Sequence, residues 1–185
     1  GIYTRQSVCA PIRAEEGVLG ALCPPSSSTP YRDLPASVSI GGYLGPSQIA
    51  QLPPDLDADS LDLEGRCLVL EFPAFVLFGV YSPANSNGQR DGFRLGFLTA
   101  LETRIRNLTK MGKNVILTGD LNVSRDLIDT AKAEDNMRAE GMTHAEYLST
   151  PNRRISNEAF RSLSVHSLPV YPSLWPGMPS LSAWS

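Results

Sequence analysis

Tyr81, Asp120 and Asn122 are the residues of this sequence whose types and settings could do chemistry. Tyr81 closes the apolar run Phe75-Val76-Leu77-Phe78-Gly79-Val80, and Asp120 follows Asn114-Val115-Ile116-Leu117-Thr118 after a single glycine. Ligand sites in layered α/β proteins gather where strands stop and loops converge. A carboxylate held there offers a hard anionic oxygen to magnesium, which takes one or two carboxylates and completes its shell with water and phosphate oxygens. Asn122, two residues on, can help hold that cation, donate to a phosphate oxygen or fix an attacking water. A phenol such as Tyr81 can steady a developing negative charge or act as an acid. The same Gly119-Asp120-Leu121-Asn122 is also ordinary turn chemistry, because Asp and Asn side chains bond nearby backbone amides. Tyr81 alone is equally a rim aromatic of a core. Spacing leaves both readings open.

Arg90, Arg94, Arg104, Arg106, Lys110 and Lys113 give residues 90 to 113 a basic character, partly offset by Asp91 and Glu102. That pattern fits either a solvated helix face or a surface for phosphates. Asp126, Asp129, Glu134 and Asp135 lack the Asp-x-Asp-x-Asp-Gly spacing of a calcium loop. Neither His144 nor His166 stands in a setting that assigns it catalysis.

The elements that must position these groups follow from periodicity. Residues 66 to 72 and 75 to 81 read as a hairpin of two apolar strands, too continuous for a sheet with one wet face. Phe93, Phe97, Leu101, Ile105 and Leu108 recur at four, four, four and three residues, one face of a helix over 90 to 111. Gly112 suits its C-terminal cap, and the next strand is 114 to 118. Thr143-His144-Ala145-Glu146 has the form of a capping box opening a short helix before Pro151. Residues 1 to 10 read as a short strand entered midway, since Gly1 stands where Met would and Ile2-Tyr3-Thr4 alternates. Residues 24 to 64, with Pro24-Pro25, Ser26-Ser27-Ser28 and Pro53-Pro54, read as a surface insertion. From Ser156 onward the apolar residues follow no period.

The 185 residues, 42% hydrophobic and 19% charged, fit one globular domain. A net charge of −3 excludes the broad basic surface of a nonspecific nucleic-acid binder, so any such contact is local. Cys9, Cys23 and Cys67 are odd in number and share no metal spacing, which predicts reduced thiols and no zinc. No apolar run approaches a membrane span and no signal segment opens the chain, so a soluble intracellular protein is expected.

Gly79-Val80-Tyr81-Ser82-Pro83-Ala84-Asn85, Val115-Ile116-Leu117-Thr118-Gly119-Asp120-Leu121-Asn122-Val123-Ser124 and Ile128-Asp129 together resemble the exonuclease III and class II AP endonuclease family, in order and separation. The segments Ala10-Pro11-Ile12-Arg13-Ala14-Glu15-Glu16-Gly17, Glu64-Gly65-Arg66-Cys67 and 146 to 154 look like its fungal AP endonuclease 2 branch. The resemblance covers residues 1 to 155 and implies a four-layer α/β sandwich, incomplete at both ends. It also implies hydrolysis of DNA on the 5′ side of an abasic site, with 3′ to 5′ exonuclease and 3′-end cleaning activities. The substrate would be double-stranded DNA with abasic sites or blocked 3′ ends, the cofactor Mg2+ or Mn2+, and the compartment the nucleus. By the same likeness Asp120 orients or deprotonates water and helps hold the metal, Asn122 contacts phosphate, Tyr81 supports the transition state, and Asn85, Arg90 and Arg94 touch DNA.

The chain departs from the family where Ala84 separates Pro83 from Asn85. Counterparts of the metal-binding glutamate, the second Asp-x-Asn-like segment and the Ser-Asp-His ending are missing, and residues 156 to 185 match nothing in the family. A translated intron, frameshift or truncated gene is the expected origin of that tail. The likeness leaves open a phosphoesterase for phosphoinositides or sphingomyelin on the same scaffold, and a binding module without catalysis.

Overall fold

A computed structural model describes residues 1–84, 90–122 and 132–148. In chain order it contains β1 (Arg13–Glu16), a single 3-10 turn (Tyr31–Asp33), α1 (Pro46–Ile49), α2 (Ser60–Leu63), β2 (Cys67–Glu71), β3 (Val76–Tyr81), α3 (Asp91–Lys110), β4 (Val115–Asp120), α4 (Ala133–Glu140) and α5 (His144–Leu148). The class is α/β, as expected.

The apolar runs become β2 and β3, antiparallel with Val69 opposite Phe78. After α3 the chain returns as β4, parallel to β3, because a parallel partner needs a crossover long enough to climb back along the sheet. With β1 antiparallel on the far side, the sheet order is β1-β2-β3-β4. Alternation then sorts the side chains. Cys67, Val69, Val76, Phe78 and Val80 point to one face and meet Phe97, Leu98, Leu101 and Leu108 of α3 in the core. Burying each large apolar side chain in this layer contributes roughly 1.5–3 kcal/mol.

The opposite face is only partly covered among the described residues. Leu70 is buried and Leu68 and Leu77 half-buried, while Ile116 stays 47% exposed. Ile2 lies over this face so closely that a side chain at Gly79 would meet its Cδ1 at 2.6 Å.

Two expectations need correction. Residues 1 to 10 form no strand; Tyr3 is 99% exposed and β1, the strand at that edge, begins only at Arg13. Alternation without a neighbouring strand to pair with is not sufficient. Residues 24 to 64 are not peripheral either, since Ile40, Leu44, Leu52 and Leu61 sit in the main core. The segment is tied in by polar groups that an irregular backbone needs when it is buried. The Asp62 carboxylate, 1% exposed, accepts from the amides of Val18 at 2.5 Å, Leu19 at 3.0 Å and Ala21 at 2.9 Å.

The capping box forms as the sequence predicts, with Glu146 accepting from the Thr143 amide at 2.7 Å and the Thr143 hydroxyl accepting from the Glu146 amide at 3.3 Å. The tail beyond 155, Asn85, Asp126, Ile128 and Asp129 lie outside the described residues. Among the described residues no helix is long and apolar enough to cross a membrane.

Candidate active site at the ends of two parallel strands

Tyr81 and Asp120 are register partners, the last residues of β3 and β4. In a parallel pair, partners project to the same face. Both therefore stand on the face away from α3, and both are exposed, Tyr81 at 57%. The sequence thus brings together at one strand end the phenol and the carboxylate that it separates by 39 positions.

Gly119 makes this closeness possible. Its φ of 124° lies in the region that favours glycine, and a Cβ there would run into the backbone of Val80 on the neighbouring strand. The residue between Thr118 and Asp120 is therefore glycine because β3 and β4 touch at that point.

Beyond Asp120 the chain turns sharply. Asn122 adopts φ 49°, a left-handed conformation that asparagine tolerates, and its amide donates to Asp120 Oδ1 at 2.9 Å. The turn reading and the site reading are thus both realised, since the turn engages one carboxylate oxygen while the carboxylate stays at the surface beside Tyr81. The Asn122 side chain donates through Nδ2 to the Ser82 carbonyl at 2.6 Å, and the Ser82 amide donates to the Asp120 carbonyl at 2.8 Å. These bonds stitch the two strand exits together.

Arg94 completes the stitching from the opposite side of the sheet. It is 3% exposed, and it donates through Nε to the Pro83 carbonyl at 3.0 Å and through Nη2 to the Asn122 carbonyl at 3.1 Å. Burial pulls its pKa below the usual arginine value, opposed by the nearby Asp91 carboxylate. The expectation that Arg94 touches DNA is overturned by this burial.

The other basic residues of the region are also engaged internally. Arg90 pairs with Glu64 and lies 4.5 Å from the centre of the Phe93 ring, with its side chain still 27% exposed. Glu64 grips Arg66 as well, at 2.6 Å, and Arg66 sits 5.6 Å from the Tyr81 ring centre. Burial raises the Glu64 pKa, yet the two guanidinium groups outweigh it and hold the carboxyl below its ordinary range. Arg104 is fully buried, Arg106 pairs with Glu102, and Lys113 donates to Glu71 at 2.8 Å and to the Ile40 carbonyl at 2.7 Å. Arg94 and Arg104 are thus buried in the fold, while Arg90, Arg106 and Lys113 keep partial exposure in ion pairs and Lys110 is exposed, so the helix is neither wholly solvated nor a continuous phosphate surface.

Whether a divalent ion fits can be judged from the donors. Asp120 presents a surface carboxylate with one oxygen occupied by an amide, and hard cations of the magnesium type need only one or two such oxygens besides water and substrate phosphate. Among the described residues no group of three His, Cys, Asp or Glu side chains gathers to cage a metal. The donor set fits an ion held by Asp120, with Asn122 beside it, and sharing its remaining positions with substrate.

No protein-family model matches the chain. It is 39% identical over 173 residues to DNA-(apurinic or apyrimidinic site) endonuclease 2 of Saccharomyces cerevisiae, covering 80% of this chain and 32% of that protein. It is 38% identical over 142 residues to the protein of the same name from Schizosaccharomyces pombe, covering 75% of this chain and 25% of that one. The chain belongs to the exonuclease III and AP endonuclease family. The catalytic domain of Xenopus laevis APE2 has the same fold, with a TM-score of 0.55 at 24% identity over 82% of this chain and 44% of that domain. The family fold places the sheet and helix layer described above in an α/β sandwich of the endonuclease/exonuclease/phosphatase type. The chain spans about a third and a quarter of the length of the two yeast family members.

Sequence reasoning missed three structural features of this region: the bridge made by Arg94, the Glu64 link between Arg66 and Arg90, and the reason for Gly119. The first had a visible signal. Arg94, Phe97, Leu101, Arg104 and Leu108 follow one another at three, four, three and four residues, which puts both arginines on the buried stripe of α3.

Proposed function

We propose that this chain carries the strand-end part of the catalytic centre of a DNA-repair phosphodiesterase. It hydrolyses duplex DNA on the 5′ side of abasic sites and trims blocked 3′ ends in the 3′ to 5′ direction. The observation that carries the reading is the pairing of Tyr81 with Asp120 across the ends of two parallel strands. Asp120 orients the attacking water and takes its proton. Asn122, one amide hydrogen committed to the Ser82 carbonyl, keeps the other for a phosphate oxygen. The Tyr81 hydroxyl donates to the oxygen on which charge grows, an interaction stronger in the transition state than in the ground state. Arg90, partly exposed at the same end, is the remaining basic candidate for the DNA backbone. Magnesium, or manganese in its place, held by Asp120 and Asn122, would supply charge neutralisation at the phosphate. A nuclear location follows from the DNA-repair reading.

The support is chemical as well as comparative. A carboxylate and a phenol stand at neighbouring strand ends with a carboxamide two residues on, and two relatives are named as endonucleases for apurinic or apyrimidinic sites. The test is incubation of the purified protein with Mg2+ and a duplex containing one abasic site. Cleavage 5′ to that site, lost with EDTA and with Asp120→Asn, is the expected result. Cleavage that survives Asp120→Asn would overturn the assignment.

A second reading is favoured because, among the described residues, Asp120 is the carboxylate of this strand end and no group of three metal-ligating side chains gathers there: a module that binds abasic DNA without cutting it. Retention of the abasic duplex with no product under the same conditions would select it.

A further inference from the structure

We propose that Arg94 is a positioning residue, which sets the orientation of Asp120 and Asn122 toward Tyr81 by holding both strand exits at once. The inference rests on the catalytic reading above and deepens it. A buried guanidinium needs partners for its hydrogens, and Arg94 finds two of them in carbonyls placed one on each chemically important loop. Pro83 follows Tyr81 by two residues, and Asn122 follows Asp120 by two.

The second contact has a specific consequence. Asn122 holds a left-handed backbone, φ 49°, which is less favourable for any residue other than glycine. Arg94 holds its carbonyl at 3.1 Å, on the far side of the residue from the amide that donates to Asp120 Oδ1 at 2.9 Å. Release of the carbonyl frees the peptide to relax toward right-handed geometry. The amide then swings off the carboxylate, and Nδ2 leaves the Ser82 carbonyl. The fork geometry matters because lysine, a point donor on a flexible stem, reaches one carbonyl and not both.

Arg94 and Arg90 make opposite demands on an experiment. A residue that touches backbone phosphate changes KM and the salt dependence of binding. A residue that only aligns the reacting groups changes kcat. Arg94→Lys and Arg94→Met are compared with the parent protein for cleavage of a duplex with one abasic site. Amide hydrogen exchange at Ser82, Asn122 and the α3 core is measured alongside. The expected result is a kcat lower by on the order of 100-fold with KM within about 2-fold. Faster exchange at Asn122 is expected with it, while Leu101 and Leu108 remain protected. Combining Arg94→Lys with Asn122→Ala should cost little more than Asn122→Ala alone, because both act through one turn.

Should the parent protein not cleave, the catalytic reading fails, and the exchange arm still decides whether Arg94 holds the turn. If Arg94→Met unfolds, Arg94→Lys carries the test. Unchanged exchange at Asn122 in Arg94→Lys would overturn the proposal, as would a loss confined to KM with a shallower salt dependence.

Discussion

Glu15 and Arg104 form an ion pair at 2.6 Å with side chains 1% and 0% exposed, joining the first strand of the sheet to the helix that covers it. Both side chains are further engaged through their remaining atoms. Glu15 Oε1 accepts from the Ile40 amide at 2.6 Å and the Tyr43 hydroxyl at 2.7 Å. Arg104 donates to the carbonyls of Gly41 at 3.2 Å and Val18 at 3.2 Å, and lies 4.4 Å from the centre of the Tyr43 ring. Removing one partner leaves the other charge buried without its counter-charge. Glu15→Gln or Arg104→Met should each destabilise the protein by about 3–5 kcal/mol, read as the urea midpoint. The double variant Glu15→Gln with Arg104→Met should lose less than the sum of the two, and strict additivity would count against a coupled pair.

Glu71 sets an acid limit. Burial pushes its pKa up, but Lys113 at 2.8 Å and Arg13 at 2.5 Å hold it below the ordinary range. A carboxyl depressed in the folded state adds stability above its unfolded pKa of about 4.3, and that stability is lost as pH falls through the lower folded value. Urea midpoints measured from pH 6 downward should therefore hold until about pH 4 and then decline. Glu71→Gln should start lower and decline less steeply, and an identical slope in the two proteins would contradict this account.

The three thiols should separate by reactivity. Cys67 points into the core, where burial pushes its pKa up to about 12, whereas Cys9 and Cys23 are exposed. The thiolate is the nucleophile, so at pH 8 a disulfide reagent should modify Cys9 and Cys23 promptly and Cys67 only after denaturant is added. Rapid reaction of all three in the folded protein would show that the core face of β2 opens readily.

Much of this architecture is legible, α3 from the helical period that carries Phe97 and Leu101 and β2, β3 and β4 from apolar runs. Those runs are continuous, so they do not say that Val76, Phe78 and Val80 face the helix while the other face stays partly open. What could not be read was polar and non-local. Asp62 looks like any loop acid until its carboxylate is seen under three amides some 41 to 44 residues away. The segment around it looked like an insertion for the same reason, since Ile40, Leu44, Leu52 and Leu61 follow no period yet each fills the core. Site residues divided along the same line. The placement of Tyr81, Asp120 and Asn122 at two strand exits is legible because strand ends are legible, whereas the burial of Arg94 is not, because only its spacing to Phe97 and Leu101 sets it on the covered stripe of α3.

Gly119 offers the sharpest test of how the sheet builds the site. Its neighbour across the ladder is Val80, whose backbone occupies the space a Cβ would need, and its φ of 124° is unfavourable for any other residue. Gly119→Ala therefore faces both backbone strain and a collision with main chain rather than with a side chain that could turn aside. The strain alone is worth about 1–3 kcal/mol. The strands can escape the collision only by parting where Tyr81 faces Asp120. The substitution should lower the melting temperature and should reduce cleavage of abasic DNA by more than the lost stability explains, when assayed well below the melt. Gly112→Ala provides the comparison, since it shares a positive φ of 81° but has open space where the Cβ would stand. It should cost stability with little effect on rate. Equal rate losses in the two variants would mean that contact between β3 and β4 at this point does not set the geometry of the site.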